Sequence, residues 1–164
     1  MRFALLCSTA ILCGSAYADQ LTGRVVSIAD GDTLTVLDRS RVQYKVRLIG
    51  IDAPEKRQPF GSAAKANLSS LCFGKDVTVD WRKYDRYQRI IGKVWCDGKE
   101  AGLAQIGMGM AWWYEAYAKE QEPADRDLYS QAQEHARSER AGLWQKDNPT
   151  PPWIWRMAPK DADR

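Results

Sequence analysis

The chain has 164 residues, ordinary globular proportions of apolar and charged side chains, and a net charge of +3. These values point to one domain with a real core and argue against wholesale disorder. So small a charge does not establish a nucleic-acid partner, but it suits a polyanionic substrate if the cations gather on one face.

Chain order begins with a secretory signal. Arg2 supplies a positive start, Ala4 to Cys13 form a short apolar run, and Ala16-Tyr17-Ala18 provide the small residues that signal peptidase reads. A signal peptide over residues 1–18, cut before Asp19, is expected. The apolar run is too short for a permanent span, so the product is expected to be soluble and exported, either periplasmic or secreted, with no membrane association. Cleavage removes Cys7 and Cys13 and leaves Cys72 and Cys96. An even count in an oxidising compartment suggests one disulfide, with two buried free thiols as the alternative.

Leu21 to Ala29 reads as a first strand, Asp30-Gly31-Asp32 as a turn, and Thr33 to Leu37 as a second strand. Val42, Tyr44, Val46 and Leu48 alternate with polar residues, the period of a half-buried third strand. Gly50 to Pro59 reads as a loop. Phe60, Ala64, Leu68 and Leu71 recur at helical spacing, and Gly74 is the stop. Val77, Val79 and Trp81 mark a fourth strand, and Ile90 to Cys96 a fifth. Leu103 and Ile106 sit on a short second helix. Pro123 opens a third, with Leu128, Ala132 and Ala136 on one side and Gly142 as its end. His135, the one histidine in the chain, falls on that charged helix and reads as exposed. Chemistries built on two histidines are thereby excluded, and a zinc site is disfavoured by the lack of any CxxC or cysteine–histidine cluster.

This pattern describes an α+β protein: a five-stranded OB-type β-barrel with about three α-helices. The division is a signal peptide at 1–18, one domain at 19–146, and a Pro/Trp-rich tail at 147–164, expected to be irregular with its tryptophans covering an apolar surface.

Three clusters carry chemistry: Asp30 to Thr33, Arg47 to Glu55, and Asp85 to Arg89. If the strands pair, Asp32 and Asp52 converge at one end of the barrel. An all-oxygen donor set suits a hard cation such as calcium. Glu55, on a proline-constrained loop, is available to hold or deprotonate a water. A single carboxylate of this kind is usually only a turn former or a solvated charge. The arginines alter that balance. Arg47 lies in an otherwise apolar segment, where a guanidinium needs an anion. Arg89 opens the fifth strand. Forked arginine donors stabilise the charge that builds on phosphoryl oxygens during phosphodiester hydrolysis.

The three blocks, in this order, resemble the signatures of the thermonuclease (micrococcal nuclease-like) family: a D-G-D-T turn, an R-L-x-x-[VI]-D-x-P-E loop and a D-x-Y-x-R block. The resemblance spans about Leu21 to Trp144. It implies a sugar-nonspecific endonuclease acting on DNA and RNA. It implies that Asp32, Asp52 and the Ala53 carbonyl bind calcium, that Glu55 positions the attacking water, and that Arg47 and Arg89 stabilise the transition state. Arg86 and Tyr87 would contact substrate, and Trp113 or Tyr114 would stack on a base, favouring single-stranded or locally unpaired substrates; Trp112 reads as core. By the same resemblance Cys72 ends the first helix and Cys96 the fifth strand, so a bridge would tie helix to barrel. A monomer is expected. The competing reading is a non-catalytic OB-fold module that binds nucleic acid without cutting it.

Overall fold

The computed structural model describes residues 19–158. The signal peptide expected at 1–18 lies outside them, as do the last six residues of the tail. Five strands close the barrel: β1 (Asp19–Ile28), β2 (Thr33–Leu37), β3 (Gln43–Leu48), β5 (Asp76–Tyr84) and β6 (Ile90–Cys96). Their order is β3-β2-β1-β5-β6, and parallel pairing of β3 with β6 completes the ring. A short β7 (Lys99–Glu100) folds back on β6.

Period-two alternation explains the closure. Leu34 and Val36 on β2, Val46 and Leu48 on β3, Val77 and Val79 on β5, and Ile90 and Val94 on β6 all turn inward and are buried. Truncating one such leucine to alanine would cost roughly 2–5 kcal/mol, because a close-packed interior cannot fill the gap. Irregular pairing at Val25–Ser27 and Trp81–Lys83 bends the long strands, as bulges do in small barrels.

Helix α1 (Gly61–Cys72) presents Ala64, Leu68 and Cys72, one turn apart, to the core. Its last residue bonds Cys96 at the end of β6 in a disulfide, and both partners are buried. Helix α2 (Ala101–Gly107) is capped by the Glu100 carboxylate, which accepts from the Gly102 and Leu103 N–H groups and from the Tyr129 hydroxyl of α3 (Pro123–Ser138). Burial pushes the Glu100 carboxyl above its ordinary pKa. Burial and the adjacent Glu100 charge push the Tyr129 hydroxyl up as well.

Five local expectations are corrected. Ile51–Asp52 is not all loop but a two-residue strand, β4, paired with β8 (Trp112–Trp113). Phe60 is not the first helical residue: it precedes α1 with a left-handed backbone, φ 69°. On α3 the packed side carries Tyr129, Gln133 and Ala136, while Leu128 is exposed, because the glutamate under α2 selects a tyrosine with a hydroxyl. The same helix stops at Ser138, ahead of Gly142, which instead opens a 3-10 turn (Gly142–Gln145) against Gly109. The tail, expected to be irregular, forms a one-turn helix, α4 (Pro152–Trp155), that returns to the barrel mouth. No helix among the described residues is long and apolar enough to cross a membrane.

Candidate active site

Two glycines bring the acids together. Gly31 packs so closely on Ala53 and Ala64 that a Cβ would lie 2.7 and 2.6 Å from theirs. Any larger residue would push the Asp30–Asp32 turn off the β4 loop. Gly50 turns the chain with φ +73°, in the left-handed region that glycine enters without steric cost. Between these points β2 and β3 pair with Thr33 opposite Arg47, and the Leu48 N–H donates to the Asp32 carbonyl at 2.9 Å.

Arg47 is the hub. Its Nη1 donates to Asp32 Oδ1 at 2.9 Å, and its Nη2 to Asp52 Oδ1 at 2.9 Å and to the Ile51 carbonyl at 3.2 Å. Asp32 and Asp52 are nearly inaccessible, at 4% and 1% exposure, so the guanidinium answers the need of two buried carboxylates for a counter-charge. Burial still drives Asp32 above its ordinary carboxylate pKa, against the pull of Arg47. Desolvation opposes the Arg47 charge, but Asp32 and Asp52 outweigh it and hold the guanidinium firmly protonated.

The network runs outward in both directions. Thr33 Oγ1 donates to Asp32 Oδ1 at 2.9 Å and accepts from Arg89 Nη1 at 3.4 Å. Arg89 is aimed by Asp85, which accepts from its Nε at 2.8 Å and its Nη2 at 2.7 Å while capping the turn through the Tyr87 and Arg89 N–H groups. Burial opposes ionisation of Asp85, yet these hydrogen bonds prevail and hold its carboxyl below the usual range. The D-x-Y-x-R spacing therefore has a local cause: the aspartate closes the tight turn and then orients the arginine four residues on. Arg86 and Arg89 both lie over the exposed Tyr87 ring, at 4.8 and 5.6 Å from its centroid.

Glu55 is partly exposed on the loop after β4, where its N–H donates to Gln58 Oε1 at 3.0 Å. Gln58 in turn donates to the Thr150 carbonyl at 2.6 Å, tying the loop to the tail. Ala53 is buried, with its N–H on Asp32 Oδ2 at 3.1 Å. Asp32 and Asp52 thus set two carboxylates at one corner, oxygen donors of the kind a hard cation takes. Among the described residues no three His, Cys, Asp or Glu groups form a ready cation cage. Guanidinium groups engage the acidic oxygens instead.

One of those groups escaped sequence reasoning. Arg156, just past α4, donates from Nη2 to Asp52 Oδ2 at 2.7 Å, and from Nη1 to Asp52 Oδ1 at 3.2 Å and Glu55 Oε1 at 2.8 Å. Its hydrogen bond to Asp52 raises the Arg156 pKa further above its ordinary value. No motif marked it; the one signal was an arginine one turn beyond Trp153 in an apolar segment.

The aromatic candidates divide. Trp112 is buried in edge-on contact with Trp144 and Trp153, as core. Trp113 packs against the barrel core and donates its indole N–H to Gln121 Oε1 at 2.9 Å. Tyr114 faces outward, tilted on Tyr117 and stacked flat on Trp153, with centroids 5.0 Å apart and planes 6° apart. A cavity of about 1010 Å³ opens beside Tyr114 and Trp153 and is lined by Arg137 and Trp144; none of Asp32, Arg47, Asp52, Glu55 or Arg89 borders it.

Comparison with known proteins agrees with this geometry. The profile described as staphylococcal nuclease homologue matches residues 45–146. An uncharacterized endonuclease of Haemophilus influenzae is 42% identical over 139 residues, covering 85% of this chain and 75% of its own. An uncharacterized endonuclease of Escherichia coli is 42% identical over 135 residues, covering 82% of this chain and 84% of its own. A micrococcal nuclease of Shigella flexneri is 42% identical over 156 residues, covering 90% and 86%. With the matched profile spanning more than half of the chain, the three motif blocks at one barrel end and relatives aligned over most of both chains, the protein belongs to the staphylococcal nuclease homologue family.

Proposed function

We propose that the protein is an exported endonuclease that hydrolyses phosphodiester bonds of DNA and RNA with calcium. The observation that carries this reading is the chain of contacts from Arg89 through Thr33 and Asp32 to Arg47 and Asp52, with the more exposed Glu55 joined to Asp52 through Arg156. Two guanidinium groups and three carboxylates at one barrel mouth are the parts that in-line attack on phosphorus requires. The names of the relatives, nucleases and endonucleases, support the same activity.

In this mechanism Glu55, the most accessible of the three acids, orients the attacking water and accepts its proton. Arg47 and Arg89, preset by Asp32, Asp52 and Asp85, stabilise the charge gathering on the phosphoryl oxygens at no reorganisation cost. Asp32, Asp52 and the Ala53 carbonyl would hold calcium, which when bound neutralises charge on the phosphate. Arg86 and Tyr87 grip the chain nearby, and Tyr114, with Trp113 behind it, offers the base-stacking face, which suits unpaired strands. The signal-like N-terminus supports export to a periplasm or beyond, and the protein acts as a monomer.

The test is degradation of long DNA and RNA by the purified protein, with calcium and then with a chelator, beside Glu55→Gln and Arg47→Ala. Calcium-dependent cutting that collapses in both variants is expected. Tight binding with no cutting under any condition would instead make the protein a nucleic-acid-binding barrel.

A further inference from the structure

We propose that the C-terminal segment Pro151–Arg156 is a built-in plug: in the resting protein Arg156 occupies Asp52 and Glu55, and it must withdraw before a divalent cation binds there. The inference rests on the cation assigned to this corner in the proposed function.

Both halves of the candidate site are covered by this one segment. Arg156 engages both oxygens of Asp52, a carboxylate only 1% exposed, and bridges to Glu55. One turn earlier, Trp153 lies flat on Tyr114. The segment is held there at two further points, Trp153 against the buried Trp112 and the Thr150 carbonyl on Gln58. It therefore docks through contacts beyond the ion pair.

Charge explains why such a plug would hold and why a cation would release it. Asp32, Asp52 and Glu55 set three carboxyl groups around the single Arg47 guanidinium, an excess of acid that attracts a further cation. Arg156 supplies that positive charge with a planar fork suited to carboxylate. The Asp52 oxygens that accept from Arg156 cannot at the same time coordinate an ion in its place. Cation binding and tail docking are then competing states of one equilibrium, and the docked fraction lowers the apparent cation affinity by the fraction left open.

Calorimetric titration of calcium into the purified protein, without nucleic acid, tests the proposal against Arg156→Ala and Trp153→Ala. If the tail is docked roughly nine-tenths of the time, Arg156→Ala binds calcium about tenfold more tightly. Trp153→Ala, which keeps the charge at 156 and loosens its tether, shifts affinity the same way by a smaller factor. Equal affinity in all three proteins overturns the plug while leaving calcium binding intact. Tighter binding in Arg156→Ala with no change in Trp153→Ala also overturns it, since that is a simple charge effect. Absence of calcium binding in every protein refutes the calcium assignment itself, and the plug with it.

Discussion

The two sides of the site are built differently. On the barrel side, Asp32, Arg47 and Arg89 stand on or beside strands whose ladders fix them: Thr33 opposite Arg47, Arg47 opposite Ile91, and the Leu48 N–H on the Asp32 carbonyl. On the outer side, Glu55 sits on a loop and Arg156 on a returning tail that meets Glu55 and Tyr114 through side chains, while Tyr114 itself is pinned by its N–H on the Gly50 carbonyl. A ladder-held wall presents charge with nothing left to reorganise, which is what transition-state stabilisation demands. A wall joined through side chains opens locally at low free energy, which is what admission of substrate demands.

Breaking the barrel side should do the most harm. Arg47→Ala is expected to lower cleavage by about 10³-fold or more, since it removes both the phosphate contact proposed for it and the clamp on two acids. It should also cost about 3–5 kcal/mol of stability in urea melts by leaving the buried Asp32 carboxylate without its guanidinium. An active, stable Arg47→Ala protein would erase the distinction between the two walls. Glu55→Gln sharpens it from the other side: cleavage should fall roughly 10²–10⁴-fold, while stability changes by less than about 0.5 kcal/mol, because the side chain is 42% exposed. Comparable destabilisation by both substitutions would mean that the outer wall is as rigid as the barrel.

Replacing Cys72 and Cys96 by alanine tests what anchors α1 behind the site. The bridge closes a loop across a sequence separation of 24, and its loss should cost about 3 kcal/mol in denaturant melts. Cleavage by the folded fraction should persist, since neither sulfur touches an acid or arginine of the site. The smallest effect belongs to Asp85→Asn. The folded-state pKa of Asp85 is depressed, so its contribution is complete above the unfolded value, about 3.9, and is lost as pH falls through the lower folded value. Unfolding between neutral pH and pH 3 should therefore show a shallower acid limb in the Asn variant. An unchanged limb would mean that Asp85 orients Arg89 without contributing to stability.

Much of this architecture is legible in local pattern. Alternation in Tyr44–Leu48 and Val77–Trp81 marks strands because one barrel face is buried, though Val42 lies before β3 and is exposed, and Ala64 and Leu68 mark α1 because they recur each turn, though Phe60 precedes it. The motif blocks locate the acids and arginines because each is a local device: a turn, a glycine bend, an aspartate cap. Leu128 misled because helical spacing gives the period of a face and leaves its phase to the neighbour, here Glu100 seeking the Tyr129 hydroxyl. The β4–β8 pairing was hidden because two residues of strand have no period to read.

By itself the sequence determined the barrel strands, the α1 face, the cysteine pair available for bridging and the residues that could do phosphodiester chemistry, because these depend on contacts within a few residues or on a repeated burial pattern. Only the tertiary structure decided that Arg47 clamps both aspartates, that Trp153 covers Tyr114 and that Arg156 reaches Asp52 from 104 positions away. Such contacts arise from how the chain returns on itself, and no local spacing encodes the meeting of two distant charges.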